Sequence, residues 1–231
     1  MGNSTLVNLY GLSPNHSGKR THKIDRITPH CIVGQVNANW IKNYFSNPKL
    51  NASCNYGIAT DGKVVLVVEE SNRSWCSSSN ANDQRAVTIE CASDKTAPYK
   101  FNINVYIKLV DLCEDICRRN GKNVLLWIND KKTALAYQPK DNEMLLTVHR
   151  WFAMKACPGD WLMQRLGLLA DEVTLRLNKG ETVKQYYTVK RGDTMSKIAK
   201  LYGMTLNQLA ILNPNITNLN LIKPGLEVRV R

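Results

Sequence analysis

The chain has 231 residues, enough for one ordinary domain of roughly 100 to 200 residues together with a small extra module. Hydrophobic residues make up 43% of the chain, which is typical of folded globular proteins and excludes wholesale disorder. Lys and Arg number 31 against 19 Asp and Glu, so the formal charge is +12. This bias favours a polyanionic partner, and nucleic acid, anionic lipid and the anionic polymers of a bacterial wall all qualify.

The apolar runs and the cysteines bear on the cellular setting. The longest apolar runs have five residues, whereas a bilayer-spanning helix needs about 20, so no membrane span is expected. The N-terminal sequence lacks a basic start, and Asn8 interrupts its apolar stretch, which predicts synthesis in the cytoplasm without a secretory signal. The seven cysteines are irregularly spaced, which favours metal ligation or buried thiols over a disulfide framework. Six are expected to behave as small buried hydrophobes, namely Cys31, Cys54, Cys76, Cys91, Cys113 and Cys117.

The first half of the chain is rich in strand signals. The first 20 or so residues are polar and predict loops, and a strand then follows within residues 23–35, on or beside which His30 lies. Asp61-Gly62 joins two apolar segments and predicts a hairpin that fixes the position of Tyr56. A Ser/Asn-rich loop and a buried strand ending near Glu90 come next.

The second half begins with a helix. Apolar residues recur with helical spacing over Tyr106–Arg119, and a short buried segment follows at residues 123–129. An apolar stretch then ends at His149, and a loop leads to a short helix for which Asp160 is the expected cap. Residues 171–185 read as helix and then as polar linker.

The last 46 residues have a pattern of their own. They predict a strand at Tyr187–Val189, a helix at Thr194–Tyr202, a second helix capped by Thr205 and a closing strand at Leu226–Val230. The sequence therefore predicts two domains, residues 1–178 and 186–231, joined by a linker at 179–185.

Two histidines and one cysteine lie in strongly patterned segments. Cys157 follows His149 by eight residues, and His30 lies far earlier in the chain. Two imidazoles and one thiolate would leave the fourth position of a tetrahedral zinc ion open, as in catalytic zinc sites. From the residues alone, satisfied core histidines are the commoner explanation.

Several segments carry a family resemblance. The segments HCIVGQ, NYGIATDG, VEESNRSW, TIE and TVHRWFAMKACPGDWL resemble the zinc amidases related to bacteriophage lysozyme-type amidases and to the peptidoglycan recognition proteins, over about residues 22–168. The resemblance implies an α/β fold with a central mixed β-sheet flanked by helices. It also implies one zinc ion per chain, bound by His30, His149 and Cys157. Members of the family cleave the amide between the lactyl group of N-acetylmuramic acid and L-alanine.

The same resemblance implies roles for neighbouring residues. Lys155 is expected to balance the negative charge that develops during amide hydrolysis. Either Glu90 or Tyr56 is expected to act as the general base, and Glu90 is preferred. Arg73 and Trp75 resemble the wall of the substrate groove, although ordinary packing explains a tryptophan equally well.

The C-terminal segment resembles a LysM domain over its full length, through its Tyr-Thr-Val strand, its Arg-Gly-Asp-Thr turn and Asn213-Pro214. The resemblance implies a shallow groove for N-acetylglucosamine in glycan strands. The expected contacts are Gly192, Asp193, Thr194, Leu212 and Ile216. Asp193 and Thr194 also suit the simpler role of helix caps.

Together these features favour a peptidoglycan hydrolase, a phage endolysin or an autolysin, that reaches the wall after release from the cell. The class-level alternative is a non-catalytic peptidoglycan receptor or regulator with the same fold. Cys157 argues against it, because receptors of this family commonly lose the cysteine. Nucleic acid is not an expected partner, since no basic and aromatic residues interleave on a recognised fold, and a monomer is expected.

Overall fold

A computed structural model describes residues 2–178, 185–216 and 218–230. The chain divides into two compact units, with the boundary between Leu177 and Asn178. Most of the predicted linker, residues 179–184, lies outside the described residues. In the described part of the chain, no helix is long and apolar enough to cross a bilayer.

The first unit is an α/β structure. Its strands are β1 (Val7–Tyr10), β2 (His16–Lys19), β3 (Arg26–Cys31), β4 (Tyr56–Ile58), β5 (Val64–Leu66), β6 (Asn72–Ser74), β7 (Ala86–Cys91), β8 (Val124–Leu126) and β9 (Glu143–Leu146). Its helices are α1 (Ala38–Phe45), α2 (Asn80–Arg85), α3 (Ile103–Arg119), α4 (Lys131–Ala136), α5 (Asp160–Met163) and α6 (Leu166–Asn178), with a 3-10 turn at His149–Trp151.

Seven of these strands form one mixed sheet in the order β1-β5-β4-β7-β3-β9-β8. The hairpin β4–β5 is antiparallel, and the other neighbours in the sheet are parallel. Strands β2 and β6 pair separately as an antiparallel ribbon. The predicted central mixed sheet with flanking helices is confirmed, as is the hairpin at Asp61-Gly62.

The two faces of this sheet differ in polarity because side chains alternate along a strand. In the parallel pair β3–β7, His30 is opposite Glu90, and Ile27 is opposite Val87. His30 and Glu90 therefore share one face with the threonines of the same strands, which we call the polar face. The apolar face carries Ile27, Cys31, Val87 and Ile89, which belong to the main hydrophobic core.

Helix α3 covers the apolar face. Its buried residues are Val105, Leu109, Val110, Leu112, Cys113, Ile116 and Cys117. Burying one such large side chain contributes about 1.5–3 kcal/mol, so this stripe holds the helix on the sheet. The helix begins at Ile103, three residues before the predicted start, because the Asn102 side chain accepts a hydrogen bond from the backbone N–H of Val105 and caps it.

Helix α1 was not expected from the sequence. It lies on the other side of the sheet, where Ile41 packs so closely on Gly57 that a Cβ there would be 2.5 Å from the Ile41 Cγ2. Its eight residues give only two turns, with Ala38, Ile41 and Phe45 buried. So short an apolar pattern does not distinguish a helix from a loop.

Two further predictions about polar segments were wrong. The N-terminal residues predicted as loops contain β1 and β2, and the Ser/Asn-rich loop contains β6 and α2. Side-chain hydrogen bonds stabilise α2: Ser79 caps it, and the buried Asp83 carboxylate accepts hydrogen bonds from the Ser77 hydroxyl and the Cys76 backbone N–H. Such hydrogen bonding leaves no hydrophobic period in the sequence.

The second unit has the predicted βααβ order, with β10 (Tyr186–Thr188), α7 (Met195–Leu201), α8 (Leu206–Leu212) and β11 (Glu227–Arg229). Strands β10 and β11 pair antiparallel. Thr205 and Gln208 form a reciprocal capping box at the start of α8. The buried side chain of Asn213 bonds to the backbone of Leu209 and Arg229, and it thereby ties α8 to β11.

Candidate metal centre

The structure brings together the three residues expected to bind metal. His30 lies near the end of β3, His149 opens the 3-10 turn after β9, and Cys157 lies in the loop that follows. The Cys157 Sγ is 3.3 Å from the His30 Nδ1, and the two imidazole centroids are 5.0 Å apart. One possible ligand atom from each residue lies within 4.8 Å of the other two. The three side chains can therefore contact one ion.

The surroundings of the two histidines favour their neutral form. Burial and the neighbouring His149 lower the pKa of His30 well below its usual value. Burial and the charge of Lys155 lower the pKa of His149. Metal binding requires deprotonated ligands, so the surroundings of the two histidines suit a metal site. The hydrogen bond with Cys31 and burial raise the pKa of the Cys157 thiol, which a bound cation would have to lower. The effect of Lys155 on the pKa of His149 also shows that this exposed lysine lies near the cluster.

The loop that carries Cys157 is held on both sides. The backbone N–H of Cys31 lies 3.5 Å from the Cys157 Sγ, and the Arg150 N–H donates to the Cys157 carbonyl at 3.1 Å. Two residues on, Gly159 has a φ of 87°, a conformation that favours glycine. A Cβ at this position would lie 2.7 Å from the Pro98 carbonyl oxygen. Only glycine lets the loop pass this close to the backbone at Pro98.

The prediction that Asp160 caps the short helix α5 is wrong. Gly159 occupies the cap position of α5 without a side-chain hydrogen bond, and Asp160 is the first residue of the helix. The Asp160 carboxylate instead accepts a hydrogen bond from Arg150 at 2.9 Å. This ion pair links the two ends of the loop that carries Cys157.

His149 has a partner that sequence reasoning missed. The hydroxyl of Ser78 lies 3.0 Å from the His149 Nε2. This contact occupies Nε2 and leaves Nδ1 as the ring nitrogen available to a metal. Outer hydrogen bonds of this kind orient ligating histidines. The signal was obscure, because Ser78 lies in a run of serines and asparagines that predicts only a loop.

Glu90 lies beside this cluster on the polar face. Its Oε1 is 3.9 Å from the His30 Nδ1 and 3.8 Å from the Cys76 Sγ. Within the described residues, its Oε2 is buried without a hydrogen-bond partner. Burial raises the pKa of Glu90 to about 7, although the Cys76 thiol acts in the opposite direction. Cys76, predicted to be a buried hydrophobe, is thus half-buried and in contact with a candidate catalytic group.

Tyr56 lies elsewhere. It pairs with Ile89 in the register of β4 and β7, whereas Gly57 pairs with Glu90. Its side chain therefore points to the apolar face. The buried hydroxyl donates to the Glu70 Oε1 at 2.6 Å and accepts from the Ser4 backbone N–H at 2.8 Å. The structure does not bring Tyr56 to the candidate metal ligands, so it gives no support to Tyr56 as the base.

Arg73 and Trp75 share one partner. The Arg73 guanidinium and the Trp75 indole N–H donate to the hydroxyl of Ser17, at 2.8 Å and 2.7 Å respectively. Ser17 lies on β2, so these bonds reinforce the ribbon of β2 and β6. Their assignment to a substrate groove remains a prediction.

The predicted sugar contacts of the second unit have structural partners of their own. Gly192 has a φ of 88° with no atom within 4 Å of an added Cβ. Asp193 accepts hydrogen bonds from the Tyr187 hydroxyl and the Lys190 N–H, and Thr194 caps α7. Leu212 is buried and Ile216 packs against the small core. Thr194 thus has the expected capping role, whereas Asp193 binds residues that precede the helix and does not cap it. Sugar binding remains a prediction.

Comparisons with known proteins agree with this architecture. A bacterial chlorophenol reductase from Desulfitobacterium hafniense is 50% identical over 46 residues, which are 20% of this chain and 14% of that protein. An endolysin from Bacillus phage B103 is 47% identical over 45 residues, which are 20% of this chain and 17% of that protein. The chain thus spans less than a fifth of these relatives. A solved mutant endolysin from Bacillus subtilis has the same fold, with a TM-score of 0.52, 13% identity, and coverage of 72% of this chain and 99% of that one.

Family models match both units. Residues 187–231 match the LysM domain, in agreement with the βααβ order of the second unit. Residues 20–160, more than half of the chain, match the N-acetylmuramoyl-L-alanine amidase model, and that segment contains His30, His149, Cys157 and Glu90. The chain therefore belongs to the N-acetylmuramoyl-L-alanine amidase family and also contains a LysM domain at residues 187–231.

Proposed function

We propose that this protein is a zinc-dependent peptidoglycan amidase that hydrolyses the amide between the lactyl group of N-acetylmuramic acid and L-alanine. One observation carries the proposal: two neutral histidines and a cysteine converge beside a partly buried carboxylate on the polar face of the sheet. Family membership supplies the bond that is cleaved.

The donor set fits zinc. Imidazole nitrogen and thiolate sulfur are the ligands that zinc prefers, and three protein ligands leave a fourth position for a reactant. His30, His149 and Cys157 would hold the ion. The chemistry that zinc supplies when bound is Lewis acidity toward water and the scissile carbonyl.

Glu90 is the proposed general base and acid. Its carboxylate is partly buried, and its Oε1 lies 3.9 Å from the Nδ1 of the proposed ligand His30, so it is close enough to exchange a proton with a water molecule that attacks beside the ligands. Because Oε2 has no hydrogen-bond partner among the described residues, it is free to accept a proton. Returning that proton to the leaving nitrogen completes the hydrolysis.

Lys155 is the proposed electrostatic stabiliser. It is exposed at the cluster, and its positive charge already acts on His149. A fixed positive charge next to the scissile carbonyl stabilises the oxyanion that forms when water attacks.

The second unit is proposed to hold the enzyme on its substrate. From Tyr186 onward the chain has seven Lys and Arg against two Asp and Glu, so this unit is attracted to an anionic wall. A LysM domain that binds N-acetylglucosamine would raise the local concentration of the amidase at the glycan. The proposed setting is the bacterial wall, reached after release from the cell, as expected of an endolysin.

The test is digestion of isolated peptidoglycan by the zinc-loaded protein. We expect new L-alanine amino groups and no new reducing sugars. Cys157→Ala should abolish both zinc binding and digestion, while Cys113→Ala, the same change within the apolar core, should preserve both. Wall binding without any new amino groups would instead support the receptor alternative.

A further inference from the structure

A cavity of about 500 Å³ lies beyond the ends of β3 and β7, against the first turn of α3. Three of its lining residues follow proposed site residues closely in the chain. Gln35 comes five residues after His30, Asp94 four after Glu90, and Trp161 four after Cys157. The cavity therefore opens beyond the same ends of β3 and β7 that carry the candidate site. Its volume falls within the roughly 300–1,000 Å³ typical of ligand pockets.

Aromatic side chains form a well-supported wall of this cavity. The ring of Trp161 is perpendicular to that of Tyr106, with centroids 5.6 Å apart, and lies 5.5 Å from that of Phe101. The guanidinium of Arg165 lies 4.2 Å from the Trp161 ring centroid. These contacts fix Arg165 and Trp161 in place before any ligand binds.

Several polar groups in this cavity have no protein partner. Among the described residues, no hydrogen bond is made by the Tyr106 hydroxyl, the Trp161 indole N–H or the Lys100 ammonium. Arg165 uses one nitrogen, Nη1, to donate to the Trp161 carbonyl. Burial raises the pKa of Tyr106 to about 12, so its hydroxyl stays protonated and can donate.

The charges of the cavity favour an anion. Lys100 and Arg165 are cationic, and the single carboxylate, Asp94, already accepts a hydrogen bond from Gln35 at 2.9 Å. The cavity thus has more unpaired hydrogen-bond donors than unpaired acceptors, and its net charge is positive. A planar guanidinium is well matched to a carboxylate. An uncharged sugar would leave Lys100 and Arg165 without a negatively charged partner. A peptide can supply one, because it carries carboxylates.

We propose that this cavity binds a carboxylate of the peptide attached to the glycan, with Arg165 as its main partner and the aromatic wall against the peptide backbone. The inference rests on the proposed function, because the reaction makes a peptide that begins with L-alanine. Arg165 then contributes to substrate affinity and selects peptides with a free carboxylate over amidated ones.

The experiment uses the full chain and a synthetic tripeptide that begins with L-alanine and carries free carboxylates. Its fully amidated counterpart and inorganic phosphate are the comparison probes. Binding is followed through the indole N–H resonance of Trp161, assigned with Trp161→Phe, and dissociation constants come from calorimetry. The peptide lacks the muramyl amide, so this measurement does not depend on catalysis.

We expect the tripeptide to shift the Trp161 resonance and the amidated peptide to bind at least tenfold more weakly. Arg165→Gln should weaken tripeptide binding about tenfold, the loss expected for one charge-assisted hydrogen bond. The matched control is Arg118→Gln, which alters an exposed arginine paired with Glu114 on α3 and should leave binding unchanged. If Arg165→Gln does not fold, Lys100→Gln, which alters an exposed side chain, replaces it.

Equal binding of the two peptides, or equal binding by the protein and its Arg165→Gln variant, would overturn the inference. A Trp161 shift caused by phosphate as strongly as by the tripeptide would also overturn it and indicate a phosphodiester wall polymer. Normal wall digestion in either case would leave the proposed function intact. Tripeptide binding without wall digestion would contradict the proposed function alone.

Discussion

Replacing Gly159 by alanine should test whether the Cys157 loop depends on its close contact with the backbone at Pro98. The added Cβ would lie 2.7 Å from the Pro98 carbonyl oxygen and 2.8 Å from the Tyr99 Cβ. A non-glycine residue at the φ of 87° and ψ of 151° of Gly159, a region that essentially only glycine adopts, costs about 1–3 kcal/mol. Displacing the packed neighbours adds about 1–3 kcal/mol. We therefore expect Gly159→Ala to lower the free energy of unfolding by about 2–6 kcal/mol.

Gly121→Ala is the matched control. Gly121 also has a positive φ, of 68°, but no atom lies within 4 Å of its added Cβ. This variant should lose only the conformational part, about 1–2 kcal/mol. The difference between the two variants then measures the steric contact at Pro98 together with the backbone region that essentially only glycine adopts at Gly159.

Urea unfolding followed by tryptophan emission measures this difference. All five tryptophans precede residue 162, so the signal reports the first unit alone. Because Cys157 is two residues from Gly159, we also expect zinc affinity, measured by competition with a chromogenic chelator, to fall about tenfold or more in Gly159→Ala, as for lost outer-shell support. Equal destabilisation of the two variants with unchanged zinc affinity would refute this reasoning.

Further changes test the assigned roles. Glu90→Gln should lower turnover about 10²-fold or more with zinc still bound; near-normal turnover would exclude Glu90 as the base. Tyr56→Phe should keep turnover within about twofold but cost roughly 1 kcal/mol of stability, because its hydroxyl bonds to Glu70; a large loss of turnover with normal stability would contradict its placement. Ser78→Ala should weaken zinc binding about tenfold, and unchanged affinity would show that Ser78 does not orient His149. A fragment ending at residue 178 should cleave soluble muropeptides at nearly the full-length rate and digest intact walls more slowly; equal digestion of walls would contradict the anchoring role of the second unit.

The sequence was most informative where local pattern and chemistry agree. Asp61-Gly62 predicted the hairpin because this dipeptide suits the tight turn whatever surrounds it. The βααβ order of the second unit followed from caps and glycine stops that act within a few residues. The helix over α3 followed from its apolar period, and only its capped start was missed.

Elements stabilised by distant partners were not predictable in this way. Helix α1 depends on the space above Gly57, and α2 depends on the buried Asp83 network. Neither condition produces a periodic pattern of hydrophobic residues in the local sequence. Strands β1 and β2 were missed for the same reason, since their partners β5 and β6 lie more than 50 residues away.

The sequence by itself determined the family resemblance and the candidate residues, and the tertiary structure decided which of those residues lie together. The resemblance of several segments, most specifically the interval between His149 and Cys157, implied a zinc amidase. Pairing register separates Glu90 from Tyr56, because a shift of one residue moves a side chain to the opposite face of a sheet. The register places Gly57, not Tyr56, beside Glu90. The approach of Ser78 and Cys76 to the site likewise arises from folding alone, because it joins segments that share no local pattern.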